Sequence, residues 1–142
     1  MSAAATAPVT AARRAPVVLV LEAIAWITVL SGAVQVVAPG FVLGVIGGAD
    51  DHTTRQLFAT VGMFMVVVGA LLATTLRRPR PDPDVVLWSA LQKVGAAVAV
   101  AIGVANSVFD PVALLVATFD LLTGVLLFFY LRALARARGA HR

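Results

Sequence analysis

Three ionisable residues sit inside long apolar stretches of this chain: Glu22, Lys93 and Asp120. Gln92 adjoins the lysine, and Gln35, Arg55 and Asn106 lie toward the ends of such stretches. An acid, a base and a cation are the parts of proton-transfer chemistry on an uncharged substrate. They are equally the parts of a structural ion pair. An ionisable group near a bilayer centre costs about 2.5 to 3.5 kcal/mol on insertion scales, so it persists where it is paired, faces a bundle interior or has a task. The chain has no Cys, and its two histidines, His52 and His141, fall outside the apolar stretches. Disulfides, thiolate metal sites and bis-histidine haem are therefore excluded. Phosphate-loop, HExxH and GxSxG chemistry is excluded too, because the motifs are missing. No cofactor or metal is expected.

The elements that must position these groups follow from composition. The 142 residues are 61% hydrophobic and 13% charged, with a mean hydropathy of +0.97. A soluble domain has about 45–50% apolar and about 25% charged residues, so this chain has too little polar surface to cover itself in water. The net charge of +4 comes from ten Arg and one Lys against seven acids. The basic residues gather at segment ends without interleaved aromatics, which argues against nucleic-acid binding. Heavy use of Ala, Val and Arg suggests a bacterial source, and the bacterial cell membrane is the expected location.

A transmembrane helix needs about 20 mostly apolar residues. Four stretches qualify, at about 17–37, 55–76, 85–106 and 112–131. The expectation is an all-α, integral membrane four-helix bundle over 16–135, with a disordered tail over 1–15 and a basic tail over 136–142. Pro39-Gly40 stops the first span, the alternating prolines Pro79, Pro81 and Pro83 make a stiff turn, and Asp110-Pro111 opens the fourth span as N-cap and first helical residue. Spans three and four must form a tight hairpin. The loop at 38–54 holds Phe41, Val42, Leu43, Val45 and Ile46, too few to cross, and reads as a short interfacial or re-entrant helix ending at Gly47-Gly48. Arg13-Arg14 ahead of the first span resembles a signal sequence. The run that follows is too long for one and contains Glu22, so the first helix is expected to be retained. An even number of spans puts Arg13, Arg14, Arg77, Arg78, Arg80, Arg132, Arg136, Arg138 and Arg142 on one side, and the positive-inside rule makes both termini cytoplasmic.

Membrane helices pack through small residues that bring backbones close. Reading at steps of three and four predicts a seam on each span. The first runs Glu22, Trp26, Val29, Ala33, Val36, and the second Arg55, Ala59, Gly62, Val66, Gly69, Ala73. The third runs Trp88, Gln92, Gly95, Ala99, Ile102, Asn106, and the fourth Ala113, Ala117, Asp120, Gly124, Leu127, Leu131. Lys93 falls one position off the third seam. At 1.5 Å per residue, Glu22 lies about 8 Å and Lys93 about 12 Å from the same surface. A Glu22–Lys93 ion pair with Gln92 as an added donor is the simplest expectation. Asp120 lies nearer the middle, within reach of the flexible lysine stem. A second polar layer is expected from Gln35, Arg55 and Asn106, with Asp50, Asp51 and His52 in the loop above. Arg55 can also snorkel or pair with either aspartate. Trp88 and Tyr130 read as interface anchors.

Pro39-Gly40-Phe41 with Gly44 after the first span, the charged loop leading to Arg55, the Gly62 and Gly69 spacing, the arginine-proline loop and the basic end resemble the small four-helix membrane proteins of the DoxX-like group. The likeness covers about residues 17–135. It implies the four-helix fold and a role as subunit or partner of a membrane-associated oxidoreductase system. The lack of Cys departs from any thiol-based member of that group.

Three functions fit this inventory. The first is a non-catalytic accessory or subunit whose buried charges organise the bundle and whose loop or Arg55 layer docks a partner. The second is a cofactor-independent isomerase or cyclase of a lipophilic isoprenoid or polyketide. There Asp120 would be the acid, Glu22 the base and Lys93 or Arg55 the charge stabiliser, with Gln92, Asn106 and a cavity of Trp26, Trp88, Phe64 and Phe119 holding the substrate. The third is proton-coupled transport in a homo-oligomer. The lipid bilayer is a partner in all three.

Overall fold

The computed structural model describes residues 16–139. The expected tail over 1–15, together with His141 and Arg142, lies outside the described residues. The described chain is helical throughout, without a strand: α1 (Pro16–Val37), α2 (Pro39–Ile46), α3 (His52–Leu76), α4 (Pro83–Ala105), a 3-10 turn (Pro111–Ala113) and α5 (Leu114–Gly139). Four of these are long and apolar enough to cross a membrane, and the shorter α2 is not. Continuous helix is what hydrocarbon demands, because every backbone N–H and C=O must find its partner within the segment.

Local chemistry sets the ends. Pro16 opens α1 and Pro39 opens α2 after a single intervening residue, Ala38. Gly47 closes α2 in the left-handed region, φ 68°, while the Gly48 N–H returns to the Leu43 carbonyl at 2.9 Å. The Asp51 carboxylate caps α3 by accepting from the Thr53 and Thr54 N–H groups at 2.9 and 3.0 Å. That cap starts the helix at His52, ahead of the Arg55 where hydrophobicity alone begins the span. Asp82 caps α4 through the Asp84 N–H. Its own N–H donates to the buried Thr75 hydroxyl at 2.8 Å, tying the proline turn to the end of α3. Asp110 precedes the 3-10 turn, but its side chain makes no cap bond. Instead its N–H reaches the Ile46 carbonyl at 2.8 Å, and its carboxyl sits where a Cβ on Gly47 would be. The α4–α5 turn is thereby docked on α2.

That turn contains a strained residue. Ser107 adopts φ 57°, in the region that disfavours side chains. Ser107→Gly is expected to raise stability by up to about 1 kcal/mol, the relief of left-handed strain less the entropy a glycine adds to the unfolded chain. A thermal melt in detergent checks it, and a lower Tm would contradict the strain.

The bundle is two close pairs rather than four equal neighbours. α1 packs along α3 and α4 along α5, while the pairs touch each other sparingly. Glycine explains the first pair. A Cβ built on Gly32 would stand 2.5 Å from the Gly62 carbonyl oxygen, and one on Gly62 would stand 2.7 Å from that of Gly32. The contact continues at Gly69, where a Cβ would stand 3.0 Å from the Ala25 carbonyl oxygen. In the second pair Gly124 approaches the Ala90 carbonyl and the Val94 side chain. The two pairs join mainly at the Arg77 end, where Leu21, Leu72, Leu76, Val86, Leu127 and Tyr130 form the core. At the opposite end Leu43 is fully buried and Phe109 lies against Gly103 and Gly48.

Two seams differ from expectation. The buried face of α1 is Leu21, Ala25, Thr28 and Gly32, one position round from Glu22, Trp26 and Val29. The buried face of α4 is Val86, Ser89, Ala90, Lys93, Ala97 and Gly103, so Lys93 is inside and Gly95 faces open space. The small residues, which allow close approach, set the phase of α1; the polar and aromatic ones do not. On α3, Gly62, Gly69 and Ala73 are buried as their seam predicted, while Arg55 at its head is exposed; Ala113 of the 3-10 turn and Ala117, Asp120, Gly124 and Leu127 of α5 are buried as theirs predicted. Leu131 is only partly buried.

Candidate functional site

Near the middle of the second pair, α4 and α5 present Lys93 and Asp120 to each other. Lys93 Nζ donates to Asp120 Oδ1 at 2.6 Å, and the two side chains are only 5% and 9% exposed, so water does not compete for the bond. Lys93 Nζ also stands 5.6 Å from the centre of the Phe119 ring, near enough for a cation–π contribution. The expected Glu22–Lys93 pair is corrected by this geometry. Glu22 lies on the face of α1 turned toward the end of α3, and there it accepts a hydrogen bond from Arg77 Nε at 2.5 Å. Two groups level in depth need not meet when their helices belong to different pairs.

Beside the buried ion pair lies a cavity of about 280 Å³ between the two helix pairs. Thr28, Ser31 and Gln35 of α1 form its polar wall opposite Lys93 and Asp120. Val42 of α2 and Met65 of α3 contribute apolar surface, with Val116 and Phe119 from α5. The Thr28 hydroxyl donates to the Ile24 carbonyl within its own helix. Gln35 Oε1 is buried and has no hydrogen-bond partner. The lining residues Ile27, Val34, Val116 and Phe119 are also exposed on the outside, so the cleft opens toward lipid between α1 and α5.

The remaining candidates are placed elsewhere. Trp26 is on the outside of α1 with the Arg77 guanidinium 5.5 Å over its ring. Trp88 and Phe64 are exposed. Of the four aromatics expected to line a cavity, Phe119 lines this cleft, and Trp26, Trp88 and Phe64 are not among its lining residues. Tyr130 is buried in the core at the Arg77 end and is not an exposed anchor. Gln92 Oε1 is buried without a partner and takes no part in the Lys93 pair. The second polar layer does not assemble: Gln35 turns to the cleft, Asn106 Nδ2 folds back on the Ile102 carbonyl, and Arg55 makes a two-pronged contact with Asp50, Nε to Oδ1 and Nη2 to Oδ2, both 2.6 Å. That pair lies over Gly40, where a Cβ would crowd both side chains. Sequence reasoning missed Gln35 and Ser31 as residues that line the cleft together with Asp120. The signal available was their spacing from Thr28, which puts all three on one helix face.

The hydrogen bond from Arg55 holds the Asp50 carboxyl below its ordinary value of 3.8. Asp51 is held below 3.8 as well, by the Thr54 hydroxyl first and then by the Thr54 and Thr53 N–H groups. A depressed folded value means these contacts stabilise the start of α3 above the unfolded carboxyl value, and the contribution disappears as pH falls through the lower folded one. The amide NMR signals of Thr53 and Thr54 are therefore expected to titrate only in acid below 3.8. Asp51→Asn, which keeps an acceptor at the cap, should abolish that titration, and its persistence would show that another group governs the cap.

This fold and its buried pair define the class: a small, multi-pass, all-helical membrane protein with an ion pair at the centre of one helix pair. No protein-family model, curated protein or solved structure matches the chain.

Proposed function

We propose that the protein is a non-catalytic accessory or subunit of a membrane-associated system, in line with its resemblance to the DoxX-like group. The bacterial cell membrane is its location in this reading, with both ends in the cytoplasm, a side supported by the nine arginines of the termini and the middle loop. The observation that carries the reading is the distribution of charge: Lys93 and Asp120 cancel each other's charge, and Glu22 is held by Arg77. An isomerase or cyclase would need a base within reach of Asp120 and its substrate, and no such triad is assembled. Proton-coupled transport draws no support from helices that run unbroken through every span.

The accessory role predicts that tagged protein, expressed at native level and extracted in mild detergent, migrates as a complex larger than itself. The double variant K93M/D120L should migrate identically. A chain that migrates alone, or a folded double variant that loses its complex, would count against the proposal.

A further inference from the structure

We propose that the cleft between the two helix pairs is a binding site for a neutral, lipid-soluble alcohol that enters sideways from the bilayer. Four observations carry it. The lining has one cation and one anion already joined, Lys93 with Asp120, so the pocket is formally neutral and a charged ligand would have no counter-ion. Its mouth lies among exposed apolar residues, with Val34 44% and Val116 48% exposed, so the entry path is through hydrocarbon. Its volume, about 280 Å³, is near the lower end of ligand pockets, which run from about 300 to 1,000 Å³. The open mouth leaves room for a longer tail among the lipids.

The fourth observation selects the functional group. Gln35 Oε1 is a buried acceptor with no donor. Only one Asp120 oxygen, Oδ1, receives the lysine, so the carboxylate retains acceptor capacity. Lys93 has three donors and spends one on that bond. An acyl chain would leave every one of these groups unmet, and an aldehyde or ketone, being acceptor only, could answer the lysine alone. A hydroxyl both donates and accepts. It can give its proton to Gln35 or Asp120 and receive one from Lys93, and a hydrogen bond to a charged group is strong enough to offset loss of interfacial water. Catalysis forms no part of this inference, and its failure would leave the accessory role standing.

The test uses the full chain in phosphatidylcholine vesicles and a long-chain alcohol with a diazirine close to its hydroxyl. Light-induced cross-links are mapped by mass spectrometry. Labels should concentrate on Val42, Met65 and Val116. Dodecan-1-ol should compete at about tenfold lower concentration than dodecanal or dodecane, the tenfold corresponding to about 1.4 kcal/mol for one hydrogen bond. Gln35→Leu should weaken labelling about tenfold by the same reckoning, with Tm unchanged. Should that variant fold poorly, Val116→Trp, which fills the cleft from its mouth, provides the second arm and should abolish labelling. Labels spread evenly over lipid-facing residues such as Val67 and Leu115 would overturn the proposal. Equal competition by dodecane, showing an acyl chain as occupant, would overturn it too, and so would undiminished labelling of a folded Val116→Trp.

Discussion

Asp120→Leu alone is expected to destabilise the protein by about 3–5 kcal/mol, because it strands the Lys93 ammonium in a dry interior. Lys93 is 4% exposed and Asp120 6%, and the cleft beside them opens among apolar residues, so neither finds water at its side chain. Adding Lys93→Met should recover most of the loss, since replacing a buried ion pair with apolar groups of similar volume is often neutral or stabilising. The measurement is a detergent melt of the two single variants and the double. A stable Asp120→Leu would show that the lysine has another exit or partner. A double variant as unstable as the singles would show that the pair does more than cancel charge.

Gly62→Leu should have an effect of comparable size at a different place. The α1–α3 approach brings backbone against backbone, with a Cβ on Gly62 falling 2.7 Å from both the Gly32 carbonyl oxygen and the Gln35 Cβ. Backbone cannot swing aside as a flexible side chain can. The helices must separate, forfeiting contact along the pair, and overpacking of this kind costs about 3 kcal/mol. Gly95→Leu is the control: a Cβ there meets nothing within 4 Å, and its Tm should stay close to that of the parent. Equal loss in both variants would mean that general disturbance of a span, not helix contact, is being measured. Because Gln35 projects from the strained crossing, Gly62→Leu should also displace the polar wall of the cleft.

Much of the architecture was legible beforehand because hydrocarbon imposes simple rules. A run such as that over 112–131 can only cross, and only as a helix. The seams of α3 and α5 were readable because Gly62, Gly69 and Gly124 lie in the same rows as small or polar neighbours. The α1 and α4 seams depart from the expected rows most at Trp26 and Trp88, which are exposed, while Glu22 and Gln92 are partly buried beside the true contact faces. Trp26 and Glu22 both engage Arg77 at the end of α3. Arg77 at the end of α3 gives Glu22 and Trp26 a partner on that face of α1, whereas the buried Lys93 finds its partner in Asp120.

Residue type and spacing alone determined that this is a four-span helical membrane protein with three ionisable groups inside its spans, because apolar length and the penalty on buried charge are properties of the chain and its solvent. Tertiary structure decided which of those groups meet. Pairing depends on which helices stand side by side and on how each is rotated, and close glycine contact between α1 and α3 sets both for half the molecule. That choice of pairs sends Glu22 to Arg77, joins Lys93 to Asp120, and leaves between the pairs the cleft that Gln35 faces.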